Sequence, residues 1–220
     1  MWSIVVAGGS GRRFGQLKQF SVLAGRPVLA WAVSACRTCS AGVVLVVPDA
    51  SACPAPDAHG ADVIVTGGAT RADSVRRGLA AVPFDATVVV VHDAARPLAS
   101  SDLFVAVIAA VTDGGADGAV PGVPPSDTIK AVDESGRVTD TLDRATLVAV
   151  QTPQAFRADV LRRAHDSAAA GASVSATDDA MLVEALGGTV QVVPGEPGNL
   201  KITDPDDLGA AERLLAAREG

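Results

Sequence analysis

No apolar run in the chain approaches the roughly 18 residues that a membrane-spanning helix needs, so a transmembrane reading has no support. Met1 leads straight into an apolar segment without a charged stretch before it, and no secretory leader is expected. Cysteine is scarce. Cys36, Cys39 and Cys53 are too few and too closely spaced for a disulfide framework. Cys36-Arg37-Thr38-Cys39 has redox or metal spacing, but no second pair or nearby histidine completes a zinc site. A cytoplasmic protein is the expectation. Positive charge is also short: 18 lysines and arginines face 25 acidic residues, a net −7, which disfavours broad electrostatic binding to nucleic acid. Internal repeats, low-complexity tracts and domain-splitting linkers are all missing. Missing too are G-x-x-x-x-G-K-[ST] and G-x-G-x-x-G, so neither a P-loop nor a dinucleotide fingerprint is present.

What remains is a 220-residue chain, 48% hydrophobic and 20% charged, long enough for one α/β domain (1–220) with a sizeable core. Valine- and isoleucine-rich runs alternate with alanine-rich stretches, the pattern of a doubly wound, mostly parallel sheet built from βαβ units. Strands are predicted at 2–7, 42–47, 62–65, 87–91, 118–121 and 190–193. Helices are predicted at 27–38, 71–81, 101–112, 157–169, 177–186 and 204–217. Ser101 is expected to cap the third helix, and Thr203 or Asp204 the last, with Pro205 at its first position. Residues 126–146 break the alternation: they predict a polar hairpin around Asp133-Glu134-Ser135-Gly136, either decoration or an arm that meets a partner.

Chemistry-bearing residues gather where predicted strands end, the ligand-binding edge of an open parallel sheet. Residues 5–18 run an apolar strand into Gly8, Gly9, Ser10 and Gly11, followed by Arg12, Arg13 and Lys18. Glycines let the backbone approach a ligand with its N–H groups facing anionic oxygens, and the cations suit a triphosphate tail. An acidic protein with such locally basic loops suits a small, multiply charged anion. Gly67-Gly68 precedes a helix carrying Arg71 and Ser74. Its backbone N–H groups and the Ser74 hydroxyl are candidates for a base edge and Arg71 for phosphate or ribose, with helix capping the alternative. Asp93 ends an apolar strand, where a carboxylate is costly unless it is paired or coordinates a cation; Mg²⁺ or Arg96 would serve. His92 reads as structural. Lys201, alone in an apolar strand, needs an anion.

In order and spacing these clusters resemble the 2-C-methyl-D-erythritol 4-phosphate cytidylyltransferase family, from Ile4 to Asp207. The blocks are Ala7–Arg13, Lys18-Gln19-Phe20, Gly67–Val75, His92–Pro97, Asp127–Lys130, Gln151–Gln154, Thr177–Ala180 and Lys201-Ile202-Thr203. The resemblance implies that a sugar-alcohol phosphate attacks the α-phosphorus of CTP and expels pyrophosphate, with Mg²⁺ on Asp93. It implies catalytic roles for Arg13, Lys18, Arg144 and Lys201. It implies nucleotide contacts from Ala7, Gly8, Gly9, Ser10, Gly11, Gly68, Arg71, Ser74, Asp93 and Ala94, and acceptor contacts from Arg96, Asp127, Thr128, Thr152 and Thr177. It also implies a homodimer in which the hairpin lends Thr128 and Arg144 to the partner's site. Val6-Ala7-Gly8-Gly9 stands where the family usually has Pro-Ala-Ala-Gly. Arg13–Lys18 is shorter than usual and closer to molybdenum-cofactor guanylyltransferases, and Pro197-Gly198 replaces an acidic residue. A ribitol 5-phosphate cytidylyltransferase, a molybdopterin guanylyltransferase and a non-catalytic nucleotide-binding protein are the competing readings.

Overall fold

The computed structural model describes residues 1–8, 18–52, 59–171 and 176–219. In chain order, β1 (Trp2–Val6) is followed by the short ribbon β2 (Val22–Leu23) and β3 (Arg26–Pro27), α1 (Val28–Arg37), β4 (Gly42–Val47) and β5 (Val63–Thr66). Then come α2 (Arg71–Ala81), β6 (Val88–Asp93), α3 (Ser101–Thr112) and β7 (Gly118–Val123). The hairpin β8 (Ile129–Val132) and β9 (Val138–Leu142) precedes β10 (Ala149–Val150), β11 (Gln154–Arg157) and α4 (Ala158–Ala169). The chain closes with α5 (Asp179–Ala185), β12 (Val190–Pro194) and α6 (Asp206–Glu219).

The main sheet runs β10-β7-β11-β6-β1-β4-β5, with β12 also paired to β7. β1, β4, β5 and β6 are parallel, so their carboxyl ends form one edge. Alternation of side chains along each strand supplies both faces. Val5, Val43, Leu45 and Val90 pack with α1 and α3 on one side, while Ile4, Val44, Val46 and Val89 pack with α2, α4 and α5 on the other. All six residues of β4 are buried, which explains its continuous run of apolar side chains. A third cluster, with Leu23, Val28, Leu98, Ile202 and Ala211, seats α6. No helix among the described residues is long and apolar enough to cross a membrane.

Several expectations need correction. β11, which the alternation did not predict as a strand, lies between β6 and β7 and antiparallel to both, so the sheet is mixed while staying mostly parallel as expected. Ser100, not Ser101, caps α3, its Oγ accepting the Leu103 N–H at 3.1 Å. α5 is short and starts at Asp179, capped by Asp178 rather than opened at Thr177. α6 starts at Asp206, after a turn in which Asp207 Oδ2 accepts the N–H groups of Thr203 and Asp204. The hairpin matches its expected turn: Asp133 Oδ1 accepts from Ser135 and Arg137 N–H, and Gly136 supplies the positive φ of 80°.

Candidate active site

The register of the parallel strands builds the site. Val6 of β1 lies opposite Val46 and Asp93, and the chain leaves all three strands at the same height. Ala7 N–H donates to Val46 O at 2.7 Å and Ala94 N–H to Val6 O at 3.0 Å, which carries the parallel ladder one step past the ends of β1 and β6 before the chain diverges into the two loops. Between them opens a cleft of about 380 Å³, lined by Ala7, Gly8, Lys18, Gly68, Arg71, Ser74, Asp93, Ala94 and Lys201 among others. A smaller cavity of about 200 Å³ adjoins it, lined by Arg71, Asp93, Arg96, Thr152, Thr177 and Lys201 together with Gln151, Gln154 and Asp178. Arg71, Asp93 and Lys201 belong to both.

At that shared wall Asp93 is the hub. Its Oδ1 accepts from Arg71 Nε at 3.3 Å and its Oδ2 from Lys201 Nζ at 2.7 Å. Burial alone would raise this carboxyl, but the charges of Arg71 and Lys201 more than reverse that and hold it well below the usual carboxylate range. Arg71 is in turn held by Asp179, whose Oδ2 lies 2.7 Å from Nη1. Burial would weaken the Arg71 charge; Asp179 and then Asp93 push its pKa above the ordinary guanidinium value instead.

Behind the hub runs a second chain of hydrogen bonds. Thr152 Oγ1 accepts the Asp93 N–H at 3.0 Å and lies 3.0 Å from His92 Nδ1, while His92 Nε2 lies 3.0 Å from Arg96 O. A carbonyl can only accept, so Nε2 carries the proton and Nδ1 accepts from the threonine hydroxyl. Burial pushes the fully enclosed His92 down to about 4, keeping it neutral. This matches its reading as structural. Arg96 reaches Asn199 O at 2.7 Å, and Asn199 Nδ2 holds Thr152 O at 2.9 Å, so the smaller cavity has a cross-braced floor.

On the other side α2 shapes the cleft. Thr70 and Asp73 form a reciprocal capping box. Ser74 Oγ accepts from Gly68 N–H at 3.1 Å and donates to Thr70 O at 2.9 Å, while Gly67 N–H donates to Val47 O. The diglycine N–H groups expected to face a base are therefore taken internally. Glycine is needed there for closeness: a Cβ on Gly68 would lie 2.2 Å from Asp73 Cβ. Lys18 Nζ donates to Ile202 O at 2.7 Å at the mouth of the cleft.

Not every candidate converges. Gly9, Ser10, Gly11, Arg12 and Arg13 lie outside the described residues. Asp127, Thr128 and Arg144 sit exposed on the hairpin arm and line neither cavity; Arg144 Nη1 donates to Ser126 O at 2.6 Å instead. Sequence reasoning missed Gln151, Gln154, His165, Asp179 and Asn199 as parts of the site's frame. The doublet Asp178-Asp179 ahead of an apolar helix was the available signal: one carboxylate caps the helix, and the next then faces the core. Cys36 and Cys39 are both free, and burial raises both thiols, the opposite of a reactive dithiol.

As to a metal, no three histidine, cysteine or acidic side chains cluster among the described residues. A lone carboxylate such as Asp93 fits Mg²⁺ only as one ligand beside phosphate oxygens, the usual way this cation is held at a triphosphate.

Comparison with known proteins bears on the whole chain. Residues 1–217 match the family model of IspD, 2-C-methyl-D-erythritol 4-phosphate cytidylyltransferase. The protein of that name from Synechococcus sp. (strain CC9902) is 44% identical, over 99% of this chain and 99% of its own length. The bifunctional enzyme IspD/IspF of Anaeromyxobacter dehalogenans (strain 2CP-C) is 48% identical over 97% of this chain, which spans 56% of that longer protein. The crystal structure of 2-C-methyl-D-erythritol 4-phosphate cytidylyltransferase from Thermus thermophilus superposes with a TM-score of 0.79 at 35% identity, covering 97% of this chain and 98% of that one.

Proposed function

The chain belongs to the 2-C-methyl-D-erythritol 4-phosphate cytidylyltransferase family, and from that premise we propose how its two adjoining cavities divide one reaction. The reaction transfers CMP from CTP to 2-C-methyl-D-erythritol 4-phosphate and releases pyrophosphate. CTP takes the larger cleft and the acceptor the smaller. The observation that carries this division is the shared wall: Arg71, Asp93 and Lys201 line both, so a reacting phosphorus beside them is within reach of both ligands.

A phosphate oxygen of the acceptor forms a new bond to the α-phosphorus, and the bond from that phosphorus to the bridging β-oxygen breaks. No protein nucleophile is required. The site supplies position and charge neutralisation, and these act most strongly where charge builds in the transition state. Lys18, with Arg13 in the role the family resemblance implies, neutralises the phosphates of CTP, and Lys201 and Arg96 that of the acceptor. The Gly68 carbonyl, the polar group left on the diglycine edge, accepts from the N4 amino group of cytosine; uracil presents an acceptor there and is rejected. Asp93, with CTP oxygens completing the set, would hold Mg²⁺, which neutralises phosphate charge and orients the chain of phosphates when bound.

The hairpin arm joins two copies of the chain, bringing Thr128 and Arg144 of each to the acceptor cavity of the other. Its support is the run of exposed apolar side chains on and beside the arm: Val132, Val138, Leu142, Val148 and Val150. Free Cys36 and Cys39 and a nucleotide substrate suit a cytoplasmic setting.

Purified protein supplied with CTP, Mg²⁺ and the methylerythritol phosphate should release pyrophosphate, with UTP and GTP serving poorly. Faster turnover of ribitol 5-phosphate, or equal rates with GTP, would overturn the assignment.

A further inference from the structure

Asp179 lines neither cavity, yet its carboxylate is among the most enclosed charges in the fold, with 1% of the residue exposed. Oδ2 accepts from Arg71 Nη1 at 2.7 Å and Oδ1 lies 2.9 Å from Nε2 of His165, itself buried. The three residues come from the starts of α2 and α5 and from the body of α4, so the contact ties three helices to the end of β6 through Arg71 and Asp93.

A guanidinium left with a single carboxylate settles on it with two parallel N–H bonds. Arg71 does not do so with Asp93: it offers one N–H at 3.3 Å, while the short bond goes to Asp179. We infer that Asp179 is a positioning residue, holding Arg71 spread between two carboxylates so that its guanidinium faces both cavities and keeps a single N–H on Asp93. Stability alone does not ask for this arrangement, since buried ion pairs are often replaced by apolar side chains at little cost. Removing Asp179 lets Arg71 fold onto Asp93. The inference rests on the division of the two cavities between CTP and acceptor.

A double-mutant cycle tests it. Arg71→Met and Asp179→Asn should each lower kcat/KM by about tenfold or more and raise KM for both substrates, because a misplaced group at the shared wall affects both. The double variant should lose no more than Arg71→Met alone, since Asp179 acts only through Arg71. Additive losses, or a KM change confined to one substrate, would overturn the inference. Arg71→Lys needs no change at Asp179 and covers the case in which Asp179→Asn fails to fold. One ammonium cannot span both carboxylates as a planar fork does, so this variant should be as poor as Arg71→Met; near-wild-type rates would overturn the claim. Absence of turnover in the unmodified protein would strike at the assigned reaction instead. CTP affinity measured by calorimetry, weakened alike in Arg71→Met and Asp179→Asn, would still decide the positional claim.

Discussion

Thr152 shows how much one hydroxyl can carry. It satisfies the Asp93 N–H and the Nδ1 of a fully buried imidazole at once. Thr152→Val keeps the shape and removes both partners, leaving a donor and an acceptor unsatisfied in the core. The loss should be about 1–3 kcal/mol, read from denaturant midpoints at unchanged slope. His92 itself predicts a pH dependence. Its folded value is depressed from 6.5 to about 4, chiefly by burial, with the Asp93 carboxylate partly opposing and the Arg96 guanidinium reinforcing the shift. The unfolded chain therefore binds a proton below pH 6.5 that the native state refuses until near pH 4. Stability should be full above 6.5 and fall by up to about 3 kcal/mol across that window. The depressed carboxylates of Asp93 and Asp179 lose their contribution only below the ordinary carboxylate value, near 4, so the two effects separate. In protein free of nucleotide and metal, His92→Gln should flatten the profile between pH 6.5 and 4; equal slopes would reject this account.

At the scale of elements, α2 is the piece that joins fold to site, since its first turn carries Arg71 and Ser74. It approaches the sheet closely at Gly78, where a Cβ would stand 2.7 Å from Ile4 Cγ2 and 3.1 Å from Val46 Cγ2. Gly78→Ala gains about 1 kcal/mol of helix propensity, but overpacking against two β-branched strand residues costs about 1–3 kcal/mol and wins because neither neighbour can swing away. The variant should melt lower and also lose activity as α2 is pushed off the sheet; a higher melting temperature would show that the helix can shift freely. The same element illustrates what was legible in the sequence. Thr70 and Asp73 announce its start, and its bounds of 71–81 follow from capping and apolar spacing. β11 was not legible, because Gln154-Ala155-Phe156-Arg157 has no β-branched run and its burial comes from sitting between two neighbours. The site divides likewise. Glycine turns and cations at strand ends are visible as residue types, whereas Asp179 and Asn199 owe their roles to contacts with residues about a hundred and about fifty positions away.

For the whole molecule, the hairpin poses a problem of burial. Every residue of β9 is exposed, among the described residues the strand pairs only with β8, and a two-stranded ribbon alone is marginal in water. Val132 and Val138 are each 58% exposed at its far end, where a soluble monomer gains nothing from valine. A second copy related by a two-fold axis would cover both arms with one self-complementary contact and would carry Arg144 across to the partner's acceptor cavity. Sedimentation at working concentration should then give a dimer, and Val132→Asp with Val138→Asp should shift it toward monomer with loss of activity. The decisive measurement mixes two inactive proteins, Arg144→Ala and Lys18→Ala, after unfolding and refolding them together. Each mixed dimer holds one site with Lys18 from its own chain and Arg144 from the other, and one site with neither. Random pairing makes half the dimers mixed, so activity should recover to about a quarter of the unmodified level. Recovery absent from a mixture shown to exchange subunits would place Arg144 in its own chain's chemistry or outside the reaction altogether.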